Sequence, residues 1–189
     1  VRDGRYHDCT HVTFRQFMAG ALAERIPGVV PEMGDWTNHV GTLFPEVRLK
    51  RYIEMRGSDC GPRSHVPAMP ALWAGLLYDA DALEAAPRLV ADWTAAERQA
   101  LRETAPRLAL ATPFRTSTLR ETAREVLAIA REGLKRRHRI DPASGRDETV
   151  HLEVLDEIVA SGKTYAERLL ADFAANGGDA TAILRATEM

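Results

Sequence analysis

The sequence predicts an α+β fold, mostly helical, with a strand-bearing segment over residues 1–66 and a helical layer over 67–189. Three observations predict it. The stretch Val47–Arg56 alternates apolar and polar residues almost perfectly, with the period of a half-buried strand. Helix-start signals, each followed by apolar residues at helical spacing, appear at Thr13 and then in close succession through the second half. The 189 residues, 45% hydrophobic and 28% charged, suffice for a single domain with a buried core.

Residues 1–12 are short and polar, and Asp3-Gly4 is a turn signal between two brief extended pieces. Thr13 followed by Gln16 is a capping-box pattern, in which each side chain satisfies a backbone N–H at the helix start. Phe14, Phe17, Met18 and Leu22 mark one face of the helix that follows, which must stop before Pro27-Gly28. Pro27, Gly28, Pro31 and Gly34 punctuate a loop over residues 26–34. Asp35 is placed to cap a second short helix reaching Phe44, with Trp36, Val40 and Leu43 on its buried side.

Pro45 breaks that helix, and the run to Gly57 reads as one strand. Successive strand side chains point to opposite faces, so Val47, Leu49, Ile53 and Met55 share one face. Arg48, Lys50, Tyr52, Glu54 and Arg56 share the other. Such a face has two readings. One is the solvated outer face of an antiparallel sheet, laced by ion pairs. The other is the floor of an anion-binding site, with Arg48, Lys50 and Arg56 on phosphate or carboxylate oxygens and Glu54 on a bridging divalent metal. Periodicity does not separate them.

Ser58 to Pro67 is a loop carrying Cys60, Arg63 and His65, and loops at the end of a site-bearing strand often carry function. The remainder is helical. Residues 70–78 form a compact apolar helix, and residues 79–93 another that Pro87 kinks or interrupts. Thr94 with Glu97 is a capping box for a helix ending near Pro106. Thr118 with Glu121 is the same signal for the longest helix, striped by Leu119, Ala123, Val126, Leu127, Ala130 and Leu134. It ends in Lys135-Arg136-Arg137-His138-Arg139, favourable cation placement at a helix C-terminus. Residues 141–147 are a polar connection, residues 149–161 a helix closed by Gly162, and Thr164 with Glu167 caps a last helix to Ala174. The tail from Gly177 is expected to fray.

Composition excludes several classes. A net charge of −2 exerts no pull toward nucleic acid or a membrane surface, and the cluster Lys135–Arg139 lacks interleaved aromatics for base stacking. The apolar run from 68 to 78 is far too short to span a bilayer. The six histidines lack zinc-site spacing, Cys60 and His65 lack a third orienting group, and no glycine-rich phosphate loop is present. Two cysteines make no disulfide framework and no signal or transit peptide is visible, so a reducing cytoplasm is the expected location.

The block Asp35-Trp36-Thr37-Asn38-His39, continuing from Thr42 through Phe44-Pro45-Glu46-Val47-Arg48 to Glu54-Met55-Arg56-Gly57, resembles the signature of glutamate–cysteine ligases of the plant and proteobacterial type. The likeness continues through residues 70–79, Asp92-Trp93-Thr94 and Thr112-Pro113-Phe114-Arg115, and upstream through Asp8-Cys9-Thr10 and residues 14–20. It covers nearly the whole chain. Members of that family are much longer, with their additional sequence upstream, so the resemblance implies a C-terminal part.

The resemblance implies a glutamine-synthetase-like antiparallel catalytic sheet. It also implies a reaction in which ATP phosphorylates the γ-carboxylate of glutamate and the cysteine amine attacks the acyl phosphate, the first step of glutathione synthesis. In such enzymes a Glu-x-Arg on one strand supplies a metal ligand and a phosphate-binding guanidinium. By position this implies Glu54 as the Mg²⁺ ligand and Arg56 as the group holding the ATP γ-phosphate or the acyl phosphate, with Arg48 and Lys50 as further anion contacts; Tyr52 on the same face is either a wall of the nucleotide site or a packing residue. The other metal carboxylates and much of the glutamate and ATP pocket would lie outside this chain. The implied partners are glutamate, cysteine and ATP, with no nucleic acid or membrane, and a homodimer stays open.

Departures from the family pattern matter too. Where the family usually reads Ala-Asp-Gly-Gly-Pro-Trp-Arg-Arg after Arg-Gly, this chain reads Ser58-Asp59-Cys60-Gly61-Pro62-Arg63-Ser64-His65. Arg63 replaces a tryptophan near the cysteine-binding region, which leaves the amine acceptor open. Cys9 matches one plant regulatory cysteine, but its partner position is Glu24 and another falls at Pro67, so plant-style disulfide control is not expected. The rival readings are a related carboxylate–amine ligase with another amine acceptor and an inactive helical binding module.

Overall fold

The computed structural model describes residues 4–59 and 61–187. Asp3 of the expected first turn and Cys60 of the Cys60–His65 pair lie outside them. The chain divides into two compact units, Val1–Ser58 and Asp59–Met189.

The first unit holds α1 (Phe14–Met18), α2 (Met33–Gly41) and the strands β1 (Val47–Leu49) and β2 (Ile53–Met55). The capping box at α1 forms as expected: Gln16 N–H donates to Thr13 Oγ1, and Thr13 N–H donates to Gln16 Oε1 at 2.9 Å. The helix is shorter than its apolar spacing predicts, because turns begin at Ala19 and Gly20 takes a φ of 88°, which few residues other than glycine adopt. Leu22 is buried from those turns rather than from a helix face. At α2 the cap is Glu32, and Asp35 stands three residues on, accepting the Glu32 N–H at 2.9 Å. That helix stops at Gly41, short of Phe44. Residues 6–9, expected to be partly extended, form neither helix nor strand.

The single long strand expected from Val47 to Arg56 does not form. The chain reverses over Lys50–Tyr52, so β1 and β2 pair antiparallel with Val47 opposite Met55, Arg48 opposite Glu54 and Leu49 opposite Ile53. Lys50 N–H donates to the Tyr52 carbonyl at 2.9 Å to close the turn. Alternation of period two fits one strand or two arms in register, since opposite residues of an antiparallel pair share a face. No Asn-Gly or Asp-Gly marks the reversal. The apolar face expected to be buried is open: Leu49 is 81% exposed, and Val47 and Ile53 are exposed as well. Trp36, Val40 and Leu43, expected on a buried side, are also exposed, Trp36 despite its edge contact with Phe14.

The second unit holds α3 (Ala68–Leu77), α4 (Ala80–Val90), α5 (Ala95–Leu108), a small hairpin of β3 (Pro113–Phe114) and β4 (Ser117–Thr118), then α6 (Leu119–Arg137), α7 (Glu153–Ser161), α8 (Tyr165–Ala175) and α9 (Ala180–Thr187). The predicted stripe of α6 is the core: Leu127, Ala130 and Leu134 are buried with Ala71 and Leu76 of α3, Val159 of α7 and Leu152 of the 3₁₀ turn before α7. Two glycines let α3 and α6 touch backbone to backbone. A Cβ on Gly133 would lie 1.9 Å from the Gly75 carbonyl oxygen, and one on Gly75 would lie 2.2 Å from that of Ala130.

Pro87 sits inside α4 without interrupting it, although proline has no N–H to bond back along the helix. The capping boxes at Thr94/Glu97 and Thr164/Glu167 form, whereas the Thr118 side chain makes no cap bond to α6. The tail expected to fray forms α9. The architecture is therefore mostly helical with small antiparallel sheets, as the sequence predicts at that level.

Candidate active site

The β1–β2 register brings Arg48 and Glu54 face to face. Arg48 Nε donates to Glu54 Oε2 at 2.7 Å, and Arg56, two residues after Glu54, reaches Oε1 at 3.4 Å. All three side chains are about a quarter exposed, the most sheltered charges of the hairpin. The Arg48 hydrogen bond is the main influence holding the Glu54 carboxyl below its ordinary range, against a desolvation that opposes it, with the fields of Arg48, Arg56 and Lys50 adding to it. Glu54 is thus an anion fixed between guanidiniums. The Arg56 guanidinium also lies over the Phe44 ring, 5.2 Å from its centre, and Arg56 N–H donates to the Glu46 carbonyl at 2.8 Å. The ring contacts the Arg56 guanidinium, while the backbone bond fixes its main chain.

Of the sequence-predicted site residues, the structure gathers Arg48, Glu54 and Arg56 and separates Lys50 and Tyr52. The latter two stand in the exposed turn because the chain reverses there, not on a continuous face with the rest. Lys50 contributes only its field at Glu54. Among the described residues no group of three His, Cys, Asp or Glu side chains could hold a metal ion. Glu54 is a single hard oxygen donor. That fits Mg²⁺, which is commonly held by one or two carboxylates plus substrate phosphates rather than by a protein cage.

Three further features emerge only from the fold. A cleft of about 810 Å³ in the first unit is lined by His7, Cys9, Phe14, Phe17, Asn38 and His39, with the His39 ring stacked 5.0 Å from Phe14 and Trp36 edge-on to it. Trp36, Asn38 and His39 lie in the 35–39 block, but no spacing rule assigns them a role. A second cleft of about 790 Å³ in the helical unit is lined by His65, Pro106, Ile158, Tyr165, Leu169 and Leu170. Burial and the nearby Arg168 charge lower the His65 pKa, favouring the neutral ring. Arg115, with a left-handed φ of 51°, donates to Glu97 Oε1 at 2.7 Å and to Asp92 Oδ2 at 2.7 Å, clasping the start of α5. Asp92 belongs to the Asp92-Trp93-Thr94 block and Glu97 to the capping box of α5, yet only folding reveals their pairing with Arg115.

Three cations at the basic end of α6, Lys135, Arg136 and Arg137, form ion pairs. Arg136 forks onto Asp79 at 2.7 and 3.0 Å and Arg137 pairs with Glu148 at 2.9 Å. No described helix is long and apolar enough to cross a membrane.

Known proteins point the same way. The profile of glutamate-cysteine ligase family 2 (GCS2) matches residues 4–186. The chain is 51% identical over 169 residues to the chloroplastic glutamate–cysteine ligase of Arabidopsis thaliana, covering 89% of this chain and 31% of that protein. It is 48% identical to the chloroplastic enzyme of Medicago truncatula and 46% identical to glutamate–cysteine ligase A, chloroplastic, of Oryza sativa subsp. indica, each over 89% of this chain and about a third of the relative (32% and 33%). The chain therefore spans about one third of the length of these relatives. The expected cytoplasmic location is corrected by the same comparison, because these relatives are chloroplastic proteins. With an alignment of this extent and the Glu54–Arg56 pair standing inside the matched region, the chain belongs to glutamate-cysteine ligase family 2.

Proposed function

We propose that the chain is the C-terminal part of one catalytic domain of an ATP-dependent glutamate–cysteine ligase, joining the glutamate γ-carboxylate to the cysteine amine through an acyl phosphate. The observation that carries the reading is the Arg48–Glu54–Arg56 array within the family-matched region. Phosphoryl transfer asks a protein for positioning and charge neutralisation more than for covalent chemistry. Arg56, anchored over Phe44, holds the oxygens of the transferred phosphoryl group, and Arg48 adds a second guanidinium from the facing arm. Lys50 and Tyr52 at the turn border the nucleotide. Glu54, ionised at neutral pH, is the protein's own ligand for Mg²⁺, which when bound neutralises phosphate charge.

A hairpin of two three-residue strands is not stable alone in water. We place it in a glutamine-synthetase-like antiparallel sheet whose other strands come from the sequence that the relatives carry beyond the matched third. Val47, Leu49 and Ile53 would then form the buried face of that sheet. A homodimer of the assembled enzyme is compatible with this arrangement.

The test is ADP release with Mg-ATP, glutamate and cysteine, by this chain alone and by the same chain joined to the upstream part of the Arabidopsis relative. Turnover is expected only in the joined protein and is lost in Glu54→Gln. If an amine other than cysteine alone restores turnover, the acceptor assignment changes and the ligase class stands, with Arg63 as the residue to exchange. Silence with every amine overturns the ligase reading in favour of a binding module.

A further inference from the structure

We propose that the cleft of about 790 Å³ in the helical unit binds a small aromatic carboxylate, with Arg107 as the contact for its anionic end. The proposal stands on the second unit alone and does not depend on the ligase reading of the hairpin. The cleft has the size of a small-molecule site, which usually measures about 300–1,000 Å³ and is lined mostly by apolar groups. Pro62, Pro106, Ile158 and Leu169 supply such a wall from four separate parts of the chain.

The aromatic half of the ligand follows from His65 and Tyr165. Both line the cleft, and their rings meet edge to face with centroids 5.5 Å apart, a geometry that a third ring can extend. The His65 ring is also seated on its own loop: a Cβ on Gly61 would fall 2.4 Å from His65 Nδ1. Burial, and after it the field of Arg168, favours the neutral ring, so the wall presents an apolar rather than a cationic face.

The anionic half follows from charge. Among the described residues Arg107 has no ion-pair or hydrogen-bond partner for its guanidinium, although it lines the cleft. Arg168, whose field reaches His65, adds a second positive charge nearby. Of the two acids in the lining, Glu167 is committed to the Thr164 N–H and Oγ1, at 2.8 and 2.9 Å, and pairs with Lys163. Asp59 is the opposing charge, and it is exposed to solvent that screens it.

The experiment titrates the whole chain with indole-3-propionate and follows the His65 ring signals by proton–nitrogen correlation, assigned with His65→Gln. Those signals are expected to move saturably. 3-Methylindole, which lacks the carboxylate, is expected to bind about five-fold more weakly, the upper scale for one exposed ion pair, and the cation tryptamine more weakly still. Arg107→Ala is expected to weaken indole-3-propionate about five-fold and to leave 3-methylindole unchanged, and Asp59→Asn to tighten indole-3-propionate. Leu170→Asp changes a wall position that is 65% exposed, so the fold is kept while the saturable shift is lost. Unmoved His65 signals at millimolar probe, or equal affinity for all three probes, overturn the site. Equal weakening of both indoles by Arg107→Ala makes that residue structural and overturns the anion contact. If indole-3-propionate binds this chain but not the chain joined to the upstream part of the Arabidopsis relative, the cleft is an internal interface and the proposal fails.

Discussion

Arg56 and Gly133 illustrate opposite kinds of importance for a single residue. Arg56 is partly exposed, and Phe44 and Glu54 are its side-chain contacts, so its loss removes little packing. In the complete ligase, Arg56→Ala is expected to lower kcat about 100-fold or more, the usual scale for deleting one donor to a transition-state anion. Its melting temperature should stay within about 2 °C, since surface changes are typically within ~0.5 kcal/mol. A parallel loss of rate and stability would make Arg56 structural instead. Gly133 should behave the other way. Its added Cβ would meet the Gly75 carbonyl at 1.9 Å, so Gly133→Ala must pry α3 from α6. Overpacking of this kind costs about 1–3 kcal/mol or more, measured as a shift in the urea midpoint. Gly41→Ala, with open space around the added methyl, is the comparison that should cost nothing comparable.

At the scale of elements, helix starts carry the clearest signals and also a useful exception. Thr94 and Thr164 cap α5 and α8 with reciprocal bonds to Glu97 and Glu167, so Thr94→Ala should cost about 1 kcal/mol in urea denaturation. Thr118 makes no such bond, and Thr118→Ala should show no capping loss. Glu97 has a second task. The Arg115 guanidinium, first among its influences, holds its carboxyl at about 2, against an ordinary 4.5. Because the folded value is the lower one, the pairing stabilises the fold fully above the ordinary value. That contribution fades as the pH falls from about 4.5 toward 2. Glu97→Gln keeps a capping-box residue and removes the ion pair. The melting temperatures of the two proteins should differ at pH 7 and converge between pH 5 and pH 2; a constant gap would place the effect elsewhere.

At the scale of the whole molecule, the two units differ in what they bury. Among the described residues, the buried apolar side chains of the first unit reduce to Leu22, while the second has a continuous cluster on α3, α6 and α7. Native-state hydrogen exchange should therefore find the slowest amides in α3 and α6 and much faster exchange across residues 4–58. Protection of the β1–β2 amides equal to that of α6 would contradict this.

What could be read in advance follows the range of the interaction responsible. Capping boxes at Thr13, Thr94 and Thr164, the apolar stripe of α6 and the charge pattern of the Arg48–Arg56 run are written in residues a few positions apart, so the sequence by itself determined them. It also determined the family, through blocks such as Asp35–His39 that no composition would produce by chance. The reversal at Lys50–Tyr52, the glycine contact between α3 and α6 and the clasp of Arg115 on Asp92 and Glu97 were decided only by tertiary structure. Each joins groups whose meeting depends on chain direction and packing, and a period-two pattern is indifferent to whether its face is made by one strand or by two. The same reason governs burial: alternation shows which side of a strand is apolar, but only the surrounding chain decides whether that side is covered.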